Sequence, residues 1–173
     1  MRVLAISGPS GQGKTLLVEA LLAAWDHPLP VLKLTHHRLE ALFPDHPATD
    51  SGRYRQAGAA ATVLAGPDGC LLRGPVPGRQ LLDALAVLVG PGWLVLEGGR
   101  DAPWPQIRVQ AEPDRIRATD AVIGPYPWGA SQWWQTALPL TPEQARAAAH
   151  WIRERAGRLG FPWPPAGRKE ERP

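Results

Sequence analysis

The chain has 173 residues, a formal net charge of +3 and one cysteine. That length suits a single domain able to bury roughly two-thirds of its unfolded surface, and Cys70 alone excludes an internal disulfide or a cysteine-cluster metal site. The charge is too mild and its arginines too dispersed for a nucleic-acid footprint, and no stretch approaches a membrane span, so neither nucleic acid nor membrane is an expected partner.

Arg2 to Ile6 reads as an apolar strand. The chain begins on that strand, which leaves no room for a signal peptide, and a cytoplasmic location is expected. Gly8-Pro-Ser-Gly-Gln-Gly-Lys14-Thr15 follows and matches G-x-x-x-x-G-K-[ST]. An apolar-periodic helix then runs from about Gly13 to Trp25. Strand, glycine-rich loop and helix together are what a phosphate-binding loop needs. Amides at the helix start and the helix dipole favour negative charge there. Gly8, Gly11 and Gly13 let the backbone approach the phosphates, Lys14 can reach their β and γ positions, and the Thr15 hydroxyl can ligate Mg2+. The competing explanation is a glycine turn that serves structure alone.

Asp26 to Pro30 breaks the helix, and Val31-Leu-Lys-Leu-Thr35 reads as a buried second strand. His36 to Thr49 is a loop, and Asp50-Ser51 is positioned to cap a short helix through Tyr54 to Ala57. Ala61–Ala65 and Cys70–Arg73 form a hairpin around Gly66-Pro-Asp-Gly69. Gln80 to Val89 is helical with Leu81, Leu82, Leu85, Leu88 and Val89 on one face. Trp93–Leu96, Ile107–Val109 and Ala121–Ile123 are further strands, and Trp128, Trp133 and Trp134 fall in a loop suited to an interface, a core edge or stacking of a ring. Thr141-Pro142-Glu143-Gln144 opens a last helix as a capping box, ending near Gly160. The expected organisation is a nucleotide-binding domain over residues 1–160 and a proline-rich, disordered tail over 161–173. Strands alternating with helices point to an α/β, three-layer fold with a largely parallel central sheet and helices on both faces. Its ligands then sit at the carboxyl ends of the strands.

A nucleotide site of this type also needs a carboxylate near its metal, at the end of a buried strand beside the loop. Glu97, after Trp93-Leu-Val-Leu96, fits that need, with a plain polar strand end as the alternative; Asp50 is a second candidate, a helix cap being the competing role. Lys14, Glu97 and Asp50 are thus the candidates for catalysis, and Thr15, Glu97 and Asp50 for the metal. The adjacent His36 and His37, taken by themselves, read as ordinary loop hydrogen bonding, with contact to an anion as the alternative.

The succession GPSGQGKT, LKLTHH, DSGRYRQAGAAATVLAG, WLVLEGGRD and PQIRV resembles the molybdopterin-guanine dinucleotide biosynthesis protein B family, over about residues 1 to 125. The resemblance implies a P-loop nucleoside triphosphatase fold and binding of GTP with Mg2+. It also implies slow hydrolysis, a homodimer, and an adapter's role beside the molybdenum cofactor guanylyltransferase that attaches GMP to molybdopterin, with molybdopterin as a further candidate ligand. Carried over, it implies nucleotide or cofactor contacts at Gly8, Gly11, Gly13, Lys14, Thr15, Lys33, His36, His37 and Gly98. Thr35, Asp50, Ser51 and Glu97 also match its motifs. The chain departs from the family pattern in having Thr49 before the aspartate where a lysine is common, and Gly99-Arg100 after Glu97-Gly98. It also has no N-K-x-D or T-K-x-D segment to read guanine. Other uses of the same loop are a small-molecule kinase, a GTPase metallochaperone drawing on His36 and His37, and a nucleotide sensor without turnover.

Overall fold

The computed structural model describes residues 1–35, 46–47, 49–74, 78–110 and 116–164. They fall into two compact units, Met1–Leu34 with Asp83–Pro173, and Thr35–Leu82.

The first unit is built on β1 (Arg2–Ser7), whose residues from Val3 onward are all buried. A strand covered on both faces has no use for polar alternation, which is why Val-Leu-Ala-Ile runs unbroken. Around it lie β2 (Val31–Lys33), β5 (Trp93–Glu97), β6 (Ile107–Val109), β7 (Ala121–Gly124) and β8 (Gln132–Gln135), in the order β2-β5-β1-β6-β7-β8. Every pair along that path is parallel. This is the expected α/β architecture with a largely parallel central sheet. α1 (Lys14–Ala24) and α4 (Pro142–Leu159) cover one face. Leu17, Val18 and Leu21 from α1, with Ala148, Ala149 and Ile152 from α4, meet Leu4, Ile6, Val95, Ile107, Val109 and Ile123 of the sheet. The small residues of α4 let the two helices approach closely. The start of α4 is the capping box read from the sequence: Gln144 N–H donates to Thr141 Oγ1 at 3.3 Å, and Thr141 N–H to Gln144 Oε1 at 2.8 Å.

Three sequence expectations change in this unit. β2 is an edge strand rather than a buried one: Val31 is 44% exposed, because β2 pairs with β5 alone among the described residues. β8 takes Trp133 and Trp134 out of the expected loop and pairs in parallel with β7, Ala121 facing Gln132. Parallel neighbours are normally joined by a dozen residues or more. Here the chain returns tightly, with Ala130 N–H bonded to the Pro127 carbonyl and Trp128 held at φ 43°. The tail expected from residue 161 is structured over its first four residues. Phe161–Pro162 forms β9, antiparallel to Arg2 and Val3 of β1. Phe161 stacks on Trp104, Trp163 is buried edge-on to it, and the Trp163 indole N–H donates to Asp83 at 2.8 Å. Burial of the two aromatic rings holds this segment against the sheet.

The second unit contains α2 (Asp50–Gln56) and the hairpin of β3 (Thr62–Gly66) and β4 (Gly69–Arg73), paired antiparallel with Val63 facing Leu72. The hairpin expected around Gly66-Pro-Asp-Gly69 is present, with Gly66 facing Gly69. The helix cap is not: Thr49, rather than Asp50 or Ser51, accepts the Gly52 N–H at 3.2 Å, and Asp50 is the first helical residue. α3 (Gly78–Val89) has Leu82 fully buried, whereas Leu88, expected on the apolar face, is 78% exposed.

Candidate functional site

The loop Gly8–Gly13 leaves the carboxyl end of β1 and enters α1 directly. Gly13 is the N-cap at φ 90° and brings no side chain to cap the helix. The first amides of α1 therefore lack the partner that a serine or aspartate cap supplies, and they carry the positive end of the helix dipole. Gly8 is required for a second reason. It sits at φ 136°, and a Cβ there would lie 2.2 Å from the carbonyl oxygen of Val109 on β6. A side chain at position 8 thus drives the loop off the sheet end.

Lys14, the first residue of α1, folds back to donate from Nζ to the Pro9 carbonyl at 2.5 Å. Partial burial holds the Lys14 ammonium below the ordinary lysine pKa. Glu97 opposes the shift, while Lys33 and Arg100 reinforce it. Lys14 therefore senses three charges, two cationic and one anionic, and together with its own they make a site with surplus positive charge. Such a balance suits a polyphosphate.

Glu97 ends β5, the strand beside β1, with Ile6 paired to it in register. It is 7% exposed. Its Oε1 accepts from Thr15 Oγ1 at 3.4 Å and pairs with Lys33 Nζ at 3.2 Å. Lys33 is 59% exposed, so this ion pair contributes about 0–1 kcal/mol. Its importance is positional: β2, β5 and α1 each deliver one group to a common point. Gly98 follows at φ 106°, donates its N–H to the Ile6 carbonyl at 2.9 Å, and lies where a Cβ would meet the Leu34 carbonyl oxygen at 2.4 Å.

Of the residues singled out from the sequence, Gly8, Gly13, Lys14, Thr15, Lys33, Glu97 and Gly98 thus come together at the carboxyl ends of β1, β2 and β5. Gly11 lies in the same loop at φ 76°. Asp50 lies in the second unit, exposed, with its carboxylate 4.0 Å from Arg53. Ser51 is buried beside it, and its Oγ lies 3.2 Å from that of Thr49. His36 and His37 lie outside the described residues. Thr15 and Glu97 are oxygen donors of the kind Mg2+ takes, and both face the uncapped start of α1. The residues present therefore fit that ion together with phosphate oxygens.

A buried polar network was missed. β6 carries Ile107 and Val109 toward the core helices, while Gln106, Arg108 and Gln110 alternate with them and are equally buried. Ser7 Oγ donates to Gln106 Oε1, and Gln106 Nε2 reaches the carbonyls of Gly99, Arg100 and Ala102 at 3.0, 3.4 and 3.2 Å. This braces the segment after Gly98. The fully buried Asp120 accepts from Arg108 Nε and Arg117 Nη2, each at 3.0 Å, and from the Gln106 amide. Burial alone raises a carboxyl pKa, but the Arg117 and Arg108 hydrogen bonds outweigh it and hold Asp120 below the ordinary range. The period-two alternation of Gln106, Arg108 and Gln110 was the available signal.

Comparison with known proteins identifies relatives of the chain. The family model described as Molybdopterin guanine dinucleotide synthesis protein B matches residues 3–121. The chain is 32% identical over 111 residues to a Molybdopterin-guanine dinucleotide biosynthesis adapter protein of Haemophilus influenzae, and the match spans 61% of each chain, about three-fifths of that relative's length. Among solved structures, Bacillus subtilis MobB superimposes with a TM-score of 0.57 at 20% identity, covering 88% of this chain and 95% of the other. A molybdopterin-guanine biosynthesis protein B superimposes with a TM-score of 0.56 at 21% identity over 88% and 97%.

Proposed function

Because the chain belongs to the molybdopterin guanine dinucleotide synthesis protein B family, we propose that it is an adapter that binds GTP with Mg2+ and serves the guanylyltransferase attaching GMP to molybdopterin. The observation that carries the nucleotide part is the uncapped, glycine-built start of α1 with Thr15 and Glu97 3.4 Å apart at its mouth. In this reading the α1 amides and Lys14 hold the β- and γ-phosphates, Lys14 exchanging the Pro9 carbonyl for phosphate oxygen. Thr15 and Glu97 hold Mg2+, which when bound neutralises phosphate charge. Lys33, released from Glu97, is free to meet a phosphate oxygen. Gly98, fixed to Ile6 and pressed on Leu34, keeps Glu97 at the strand end. The surplus positive charge sensed by Lys14 favours a triphosphate over a neutral ligand. GTP hydrolysis is slow, and the nucleotide acts chiefly to set how the protein meets its partner.

The partner roles rest on family membership and on the name of the Haemophilus influenzae relative. A homodimer is supported by the second unit, where Val63, Leu64, Leu71 and Leu72 leave both faces of the hairpin exposed and apolar, an arrangement typical of an interface. Calorimetric titration with GTP and ATP, each with Mg2+, followed by co-sedimentation with the guanylyltransferase, tests the reading. Tight GTP binding and a complex are expected. Binding to neither overturns it.

A further inference from the structure

The polar side of β6 faces a second cleft, of about 280 Å³, lined by Arg100, Asp101, Ala102, Arg108, Ile116 and Arg117. Among the described residues three guanidinium groups meet two carboxylates here, Asp101 in the lining and Asp120 beneath, three positive charges to two negative. The hydrogen bonds are as uneven as the charges. Arg117 is fully engaged: Nε and Nη2 reach Asp120, and Nη1 reaches the Ala102 carbonyl at 2.9 Å. Arg108 is 2% exposed and donates Nε to Asp120 and Nη2 to the Arg100 carbonyl at 3.2 Å. Its Nη1 is buried without a hydrogen-bond partner among the described residues. A buried guanidinium N–H left unbonded is costly, and such orphans mark places where an acceptor from outside belongs.

We propose that this cleft binds the phosphate group of an organic phosphomonoester, held by Nη1 of Arg108 and the guanidinium of Arg100. The two donors come from different elements, β6 and the turn after β5, so the acceptor has to offer oxygens in more than one direction. A tetrahedral phosphate does so, whereas a planar carboxylate serves one fork at a time. The cleft volume is that of about nine liquid waters, more than a bare anion fills, which leaves space for an attached organic group. Arg100 also disfavours the charge on Lys14, so the cleft and the glycine loop have one cation in common. The phosphate assigned here is not one of the nucleotide's own, and the assignment stands whether or not the bound nucleotide is GTP.

Phenyl phosphate, titrated calorimetrically and followed by phosphorus NMR, tests the assignment. The glycine loop is removed as a competing site in two ways, by Lys14→Ala and by saturating the unaltered protein with Mg2+ and a non-hydrolysable GTP analogue. One equivalent of phenyl phosphate should bind in both cases. Arg100→Gln should weaken it at least fivefold, Arg108→Lys at least tenfold, and Arg146→Gln, an exposed arginine on α4, should leave it unchanged. If Arg108→Lys fails to fold by circular dichroism, Arg100→Gln decides alone. Loss of binding whenever the glycine loop is disabled or filled overturns the proposal. Indifference to Arg100→Gln also overturns it, as does equally tight binding of benzoate or inorganic phosphate. GTP affinity, measured on the same samples, reports the nucleotide reading separately.

Discussion

Lys14→Ala separates a ligand-holding lysine from a structural one. Among the described residues Lys14 makes one hydrogen bond, to the Pro9 carbonyl, and its charge is disfavoured by burial, favoured by Glu97, and disfavoured by Lys33 and Arg100. Removing it relieves the burial cost and the repulsion while losing the Glu97 attraction and a single exposed hydrogen bond, so the free protein should change by less than about 1 kcal/mol. With nucleotide bound the balance reverses, because a charge-assisted contact to phosphate is worth about 1.5–3 kcal/mol. The dissociation constant should then rise by about 10- to 150-fold. Ligand at a hundred times the original dissociation constant stabilises the unaltered protein by about 2.7 kcal/mol, and a variant weakened a hundredfold by only about 0.4 kcal/mol. For a chain of this size that converts to a Tm rise of about 5–11 °C against about 1 °C. A thermal-shift series with Mg2+ and GTP reads both numbers. Equal nucleotide-induced shifts in the two proteins, or a free variant that melts far below the parent, would refute the reasoning.

Three further outcomes are expected. Lys14 titrates below its ordinary value in the free protein, and bound phosphates favour its charged form. GTP affinity should thus hold at neutral pH and fall as pH rises through that lowered pKa; calorimetry across alkaline buffers checks it, and Lys14→Ala should lose this pH dependence. Glu97→Gln keeps the shape that Thr15 meets at 3.4 Å but removes the charge. Nucleotide should still bind, while Mg2+-dependent phosphate release falls at least tenfold in a turnover assay. Asp120→Asn leaves Arg108 and Arg117 without their buried counter-charge and should cost about 3–5 kcal/mol in denaturant unfolding. Because the native Asp120 pKa is depressed, its stabilisation is complete above the ordinary carboxylate pKa and lost as pH falls through the native one. The variant should lack that part of the acid sensitivity.

The candidate nucleotide site was legible because its chemistry is local. Eight consecutive residues, Gly8 to Thr15, carry their own backbone conformations, their helix start and their charge, and no distant contact is needed to recognise them. The buried run before Glu97 and the capping box at Thr141 are local in the same sense. Tertiary structure decided the rest. Whether β2 lay inside the sheet or on its edge depended on which strands came beside it, and Val-Leu-Lys reads alike in both settings. Phe161 and Trp163 looked like the start of a loose tail until Trp104, far off in the chain, supplied a surface for their rings. Arg108 shows the limit most plainly. As an isolated letter it is a surface arginine, and only the strand register that sets it above Asp120 makes it a buried cation whose Nη1 has no partner among the described residues. Periodicity shows which residues share a face, but what covers that face is settled by contacts between segments far apart in sequence.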